Sequence, residues 1–215
     1  MSTLLRAPKE CGAWYWDLYD FAAPGLESAL SVAARMCDVL ARRELLAPSE
    51  LKYNWYVLNA GTTGITSTLE LALNPLGDPS LPERVRGSRP ATHPSADIAT
   101  IKVLGTGTWI DAHGQPRTEH GLVDLSLSTA PTGLSAELSV HHDIWGWFDF
   151  SGRPHPEVFR NNAPRLAAAL DELTTVLGMP PEIGDPTYFG RATADGLATP
   201  DADDDGMGPD LTSRL

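Results

Sequence analysis

Residues 65–73 read Ile-Thr-Ser-Thr-Leu-Glu-Leu-Ala-Leu, with mostly apolar side chains at the odd positions and polar ones at 66, 68 and 70. Alternation with a period of two predicts a β-strand that buries one face and leaves the other in water. Strands of this kind are typical of antiparallel sheets that are covered on one side only. The stretch therefore favours an open, one-sided sheet.

Four further segments have strand character, because they are rich in aromatic and β-branched residues or bounded by turn residues. They are residues 52–58, 98–104, 121–128 and 134–150, the last with an expected bend at Gly146. Short connections predict that these strands are antiparallel neighbours. Residues 74–96 contain repeated X-Pro steps, which disfavour helix before each proline, and are expected to form a long loop.

Two segments have helical periodicity. Apolar residues recur at three and four positions through residues 26–41, and Pro48 is expected to close this element. A second helix is predicted for residues 163–177, with Asn162 as its N-cap and Gly178 as its stop. The apolar stripes of both helices should lie on the sheet.

Strands clustered between two long helices, without regular βαβ alternation, predict an α+β fold. We expect an antiparallel sheet of about five or six strands with two long helices packed on one face. The 215 residues contain no low-complexity linker, which indicates a single domain over residues 1–200. Residues 201–215 lack apolar periodicity and are expected to form an acidic, weakly ordered tail.

The net charge of −12 argues against nucleic-acid binding, because neutralising phosphates needs clustered Lys and Arg. Residues 171–215 hold ten acidic residues and two arginines, so most of the excess is C-terminal. This distribution is typical of a solvated tail, with a surface for a basic partner as the alternative.

The sequence indicates a protein of the cytoplasm. We find no export signal at the start and no apolar run long enough to cross a bilayer, so no membrane association is expected. Cys11 and Cys37 lack metal or redox spacing. We expect Cys37 to be a buried thiol in the first helix, whereas the environment of Cys11 stays open.

No motif completes a catalytic or metal site. In His141-His142-Asp143 the first and third side chains would share a strand face, so at most two ligands converge. The stretch 201–206 matches the first half of a calcium loop, but Thr212 stands where a bidentate Glu is expected. We therefore expect no metal and no cofactor, and we regard an enzymatic role as uncertain and disfavoured.

Aromatic residues cluster near the start of the chain and near residue 150. These clusters either fill the core or anchor an interface, since aromatic rings bury a large area at low entropic cost. For the interface alternative, the candidate protein-binding residues are Trp14, Trp16, Trp145, Trp147 and Asp149.

Four segments carry a resemblance to a known group of proteins. They read Asp-Ile-Trp at 143–145, Asp-Phe-Ser-Gly-Arg-Pro-His-Pro at 149–156, Asn-Asn-Ala-Pro-Arg-Leu at 161–166 and Gly-Asp-Pro-Thr-Tyr-Phe-Gly at 184–190. In this final third the chain resembles small actinobacterial immunity-type proteins. The resemblance implies a cytoplasmic protein that blocks a cognate toxin by occlusion, and it assigns no role to any residue.

Three functional hypotheses follow, and one of them is a plain accessory subunit of a larger assembly. The first is a protein-binding immunity or inhibitor protein whose partner is a basic toxin. The alternative is an enzyme or small-ligand-binding protein of a biosynthetic pathway, with a sheet-floored pocket near His141, Asp143 and Arg153.

Overall fold

The computed structural model describes residues 4–72 and 75–215, which form an α+β fold built on one large antiparallel sheet. The strands are β1 Gly12–Asp17, β2 Ala47–Val57, β3 Gly61–Glu70, β4 Asp97–Ile110, β5 Pro116–His120, β6 Asp124–Ser128, β7 Ser135–Val140, β8 Glu182–Ile183, β9 Ala192–Thr193 and β10 Gly196–Leu197. The helices are α1 Leu26–Arg42, α2 Leu81–Gly87 and α3 Pro156–Leu177.

The main sheet has the strand order β3-β2-β4-β6-β7-β1-β8, and β5 pairs with β4 outside this path. All its pairings are antiparallel. The α+β class and the antiparallel sheet predicted from the sequence are confirmed. The sheet has eight strands where five or six were expected, and β9 with β10 forms a separate two-stranded ribbon.

The long helices α1 and α3 pack against each other and against the central strands of the sheet. At their contact the guanidinium groups of Arg42 and Arg43 bind the two carboxylate oxygens of Glu172 at 2.5 and 3.0 Å. Arg165 donates to the carbonyl oxygens of Thr108 at 2.6 Å and Arg43 at 2.7 Å. These bonds fix α3 to α1 and to β4, while the buried apolar side chains between the layers supply most of the stability.

Helix α3 begins at Pro156, well before the predicted start at residue 163, because the proline occupies the first turn where its missing N–H is harmless. Asn162 is therefore not a cap. Its buried amide donates to the carbonyl oxygens of Ile110 and Val158, each at 2.8 Å, and accepts from the Ile110 N–H at 2.9 Å. Gly178 ends the helix in the left-handed region at φ 70°, as predicted.

The strand predicted for residues 134–150 stops at Val140, so that prediction is wrong in its second half. A single turn of 3₁₀ helix follows at Asp143–Trp145, and the Gly146 N–H donates to the Asp143 carbonyl at 2.8 Å. Trp145 and Trp147 therefore do not share a strand face. Trp145 is fully buried and Trp147 is half-buried.

Other boundaries also move. Pro48 lies inside β2 rather than closing α1. The predicted strand 121–128 is a strand only from Asp124 onwards, where β6 begins, and Gly121 before it has a left-handed φ of 64°. The predicted loop 74–96 contains α2, which buries Leu81 and Val85. Position 73 of the predicted strand 65–73 lies outside the described residues, as does position 74 of that loop.

The C-terminal residues 201–215 follow the surface of the domain. The Gly208 N–H donates to the Gly152 carbonyl at 2.8 Å, and the Leu211 N–H donates to the Phe150 carbonyl at 2.8 Å. Within the stretch considered as a calcium loop, Asp203 Oδ1 accepts from the N–H groups of Asp205 and Met207 at 3.0 and 2.8 Å. In the described part of the chain, no helix has the length and apolarity needed to span a membrane.

Candidate functional site

The sheet face opposite α1 and α3 is polar and is crossed by a continuous row of paired side chains. From one edge to the other the row consists of Thr68, Lys52, Lys102, Ser126, Glu137, Tyr15 and Glu182. Basic side chains stand on β2 and β4, and acidic ones on β7 and β8. The row therefore changes sign of charge along its length.

Its acidic end is here called the acidic patch and consists of Glu10, Tyr15, Glu137, Glu182 and Asp185. The patch acids form no salt bridge with any residue of 4–72 or 75–215. Burial raises the pKa of Glu137 and the nearby Glu10 raises it further, which together outweigh the lowering effect of Lys102. The pKa of Tyr15 is raised by burial and then by Glu137, Glu10 and Asp185. A negative potential thus acts on a tyrosine that is 37% exposed.

Towards the middle of the same face, Asp124 is the centre of a neutralised cluster. Its Oδ2 lies 2.7 Å from Arg6 Nη2, 2.9 Å from Lys102 Nζ and 3.4 Å from His141 Nε2. Burial alone would raise the pKa of Asp124, but Lys102 and Arg6 bring it below its ordinary value. Burial and the charge of Arg6 lower the pKa of His141. This histidine therefore belongs to a structural ion cluster.

A second site, here called the aromatic cleft, lies between the segment 143–150 and the C-terminal segment 186–211. It encloses about 260 Å³. Five aromatic side chains line it, namely Trp147, Phe148, Phe150, Tyr188 and Phe189. Phe150 and Phe189 make an edge-to-face contact with their centroids 5.8 Å apart. The cleft is thus walled by ring systems from two distant parts of the chain.

Two carboxyl groups also line the cleft, and they have different tasks. Asp149 Oδ1 accepts from the Ser151 N–H, the Ser151 hydroxyl and the Arg153 N–H at 2.8, 2.7 and 3.0 Å, so it holds its own loop. Asp143 Oδ2 accepts from the Phe150 N–H at 3.2 Å, and its carboxylate makes no salt bridge with a described residue. Burial raises the pKa of Asp143.

Three of the predicted protein-binding residues belong to the core. Trp14 and Trp145 are 0% exposed and Trp16 is 1% exposed, so of the two alternatives the core applies to them and the interface does not. Trp14 and Trp16 alternate towards the helices on β1, and Trp14 Nε1 donates to the Thr193 carbonyl at 2.7 Å. Trp147 and Asp149 are half-buried in the aromatic cleft.

The structure separates the three residues of the alternative pocket. His141 is in the Asp124 cluster, Asp143 lines the aromatic cleft, and Arg153 is exposed and lines neither. The cleft is formed by loops and the C-terminal segment, so it is not floored by the sheet. The 3₁₀ turn after Val140 is the physical reason, because it turns Asp143 away from the face that carries His141.

Within residues 4–72 and 75–215, no group of three or more His, Cys, Asp and Glu side chains has an arrangement that could hold a metal ion. The buried thiol of Cys11 also lines the cleft, and burial raises its pKa. A protonated, enclosed thiol is a poor nucleophile. The Cys11 thiol in the cleft is therefore expected to react slowly.

Sequence reasoning missed Tyr15, Glu137, Glu182 and most of the C-terminal lining. A signal for Tyr15 was present, because it alternates with Trp14 and Trp16, and an unpredicted strand explains that alternation. The pairing of β1 with β7 and β8 has no local signal.

Comparisons with protein-family models, with curated proteins and with solved structures give no match for this chain.

Proposed function

We propose that this protein acts by binding another protein, as an immunity or inhibitor protein that neutralises a cognate toxin by occlusion. The observation that carries the proposal is the excess of negative charge around an exposed tyrosine on an open sheet face. Like charges held together oppose folding, whereas a basic partner relieves their repulsion. The acidic patch is therefore assigned as the centre of the interface.

The dimensions of the face support this role. Seven strands lie side by side in the row, and with about 4.8 Å between neighbours the row is about 29 Å wide. A standard protein interface covers about 800 Å² on each partner, which a face of this width can provide. Its backbone is fixed by the ladder hydrogen bonds, so little ordering entropy opposes binding.

Tyr15 is the proposed anchor, because tyrosine supplies a large contact area and a hydroxyl with few rotatable bonds. The acids around it are proposed to steer a basic partner. The alternative of an enzyme whose site joins His141, Asp143 and Arg153 lacks support, since these groups lie apart.

The experiment is affinity capture from the source organism with wild type, Tyr15→Ala, the double variant Glu137→Gln/Glu182→Gln, and the control Glu83→Gln on α2. We expect a basic protein to be retained by wild type and control. Tyr15→Ala should weaken its affinity by about 2 kcal/mol, or about 30-fold, mainly through faster dissociation. The double variant should slow association and reduce its salt dependence.

Co-expression then tests the toxin assignment. The captured protein should arrest growth when produced alone, and wild type and Glu83→Gln should restore growth better than Tyr15→Ala. A captured protein that binds all variants equally would refute the acidic patch as the interface. A partner that is harmless on its own would refute the immunity role and leave the interface standing.

A further inference from the structure

We infer that the aromatic cleft is a binding site for a small organic cation, whose nitrogen pairs with the Asp143 carboxylate while its apolar body lies against Trp147, Phe148 and Phe150. This site is separate from the acidic patch and does not depend on the proposed interface.

The cleft is a defined enclosure, because hydrogen bonds hold the C-terminal wall in place at both ends. At one end Gly208 and Leu211 donate to Gly152 and Phe150, each at 2.8 Å. At the other end, the Thr187 hydroxyl donates to the Glu10 carbonyl at 2.6 Å and so ties the C-terminal wall to the residues just before β1.

Glycines let these walls approach closely. A Cβ on Gly208 would lie 2.6 Å from the Phe148 ring, and one on Gly190 would lie 2.4 Å from the Cys11 carbonyl oxygen. The two contacts at Gly208 and Gly190 are thus tightly packed, while about 260 Å³ stays open between the walls. Ligand pockets commonly measure about 300 to 1,000 Å³, so this one suits a small molecule.

The chemistry of the lining selects the charge of the ligand. Aromatic faces carry negative potential and attract ammonium and guanidinium groups. A buried carboxylate without a cationic partner is unfavourable, and a ligand cation removes that penalty. The Tyr188 ring already carries a cation, since the guanidinium carbon of Arg214 lies 4.1 Å from its centroid.

Among the described charged groups near the cleft, His155 lowers the pKa of Asp143, but burial outweighs this effect and no ion pair with Asp143 forms. Arg191 lines the cleft but is exposed and forms no salt bridge with a described residue. His155 donates through Nε2 to the Gly146 carbonyl at 2.9 Å. Asp149 adds a second negative charge, although its Oδ1 is committed to its own loop. The cleft therefore favours a cation.

The test measures binding of phenethylamine and of its neutral counterpart 2-phenylethanol by calorimetry and ligand-observed NMR at pH 7. We expect the amine to bind wild type at least 10-fold more tightly than the alcohol. Asp143→Asn keeps the shape and the acceptor for the Phe150 N–H, and it should abolish this preference. Asp204→Asn removes an exposed acid outside the cleft and should keep it.

Ala198→Phe provides a second variant that leaves Asp143 intact and fills the cleft with a ring, so it should block both probes. Equal binding of amine and alcohol to wild type would overturn the inference, as would a preference that survives Asp143→Asn. Failure of both probes, and of a third probe, N-acetyl-lysine amide, to bind would overturn it too.

The capped lysine, N-acetyl-lysine amide, distinguishes a free amine from a protein side chain as the source of the cation. Tighter binding of phenethylamine assigns the cleft to a free small molecule. Tighter binding of capped lysine, again lost in Asp143→Asn, assigns it to a basic side chain. Both results support a cation site, and neither bears on the acidic patch, so failure here leaves the proposed interface unaffected.

Discussion

His142 is 2% exposed, and its imidazole has its pKa lowered to about 4 by burial and then by the charges of Arg6 and His141. The unfolded imidazole titrates near 6.5. Between these two values the unfolded chain binds more protons than the folded one. The neutral buried form therefore stabilises the fold above about pH 6.5, and this contribution is lost as pH falls towards 4.

We expect His142→Gln to reduce the loss of unfolding free energy between pH 7 and pH 4 by about 3 kcal/mol, because it removes this protonation. Urea unfolding at the two pH values measures the difference. His113→Gln, at an exposed position, is the control and should leave the pH dependence of wild type unchanged. An equal acid loss in wild type and His142→Gln would show that other groups govern the transition.

The tryptophans show how far composition alone predicts a residue's environment. A cluster of large rings near the start of the chain indicated burial or an interface, and alternation along β1 decides for burial of Trp14 and Trp16. The neighbour Tyr15 is the one that reaches the open face. A pattern with period two was visible in the sequence, but the aromatic content hid it because all three residues are large and partly apolar.

Among the elements, residues 201–215 can pack closely against the rest of the protein only because glycines stand at the contact. Gly152 has φ 79°, and a Cβ there would lie 2.3 Å from the Gly208 carbonyl oxygen. Gly206 has nearly the same φ, 78°, but faces open space. Substitution at Gly206 therefore introduces only the strain of a left-handed backbone, whereas substitution at Gly152 adds a clash with Gly208.

We expect Gly152→Ala to release residues 201–215 from the body, whereas Gly206→Ala should cost only about 1 kcal/mol of conformational strain. Hydrogen exchange measures this directly. The amides of Gly208 and Leu211, which bond to the body, should lose protection in Gly152→Ala and keep it in Gly206→Ala. Equal protection in both variants would contradict a tight contact between Gly152 and Gly208.

Local patterns predicted the elements that are decided locally. The periodicity of α1, the alternation of β3 and the stop at Gly178 all follow from side-chain spacing and backbone freedom. Elements decided by tertiary contacts were missed or misplaced. Helix α3 starts early because its first turn packs Val158 into the core, and β8 is a strand only because it pairs with β1.

On the scale of the whole molecule, the two free cysteines can distinguish local opening near Cys11 from opening of the core around Cys37. Cys11 lies beneath Gly190, and Cys37 lies in the core face of α1. They are 1% and 3% exposed, and burial raises the pKa of both thiols, that of Cys37 to about 12. Neither thiol should react quickly in the native protein, because the thiolate is the reactive form.

We expect Gly190→Ala to accelerate alkylation of Cys11 at least 10-fold, since the added Cβ forces the segment away from the Cys11 backbone. Mass spectrometry after timed iodoacetamide treatment gives both rates in one sample. Cys37 is the internal control and should react as slowly as in wild type. Parallel acceleration of both thiols would instead indicate that the molecule opens as one cooperative unit.

The aromatic cleft and the acidic patch belong to this scale as well, and for that reason the sequence did not predict them. The cleft joins residues 143–150 to residues 186–211, and the patch joins β1 to β7 and β8. Alternation and helical periodicity describe neighbours along the chain. They carry no information on which distant segments meet, so the pairing of Tyr15 with Glu137 could be found only from the strand order.

Strand β1 is the first strand of the main sheet to be made, but it lies between β7 and β8, the last two strands of that sheet. On the ribosome, residues 12–17 emerge more than a hundred residues before Ser135–Val140, their first sheet partner. At roughly 5 to 20 residues per second, this interval is several seconds or longer. Until β7 has been made, the indole rings of Trp14 and Trp16 cannot be buried by their sheet partner, so the nascent chain exposes an apolar segment for that time.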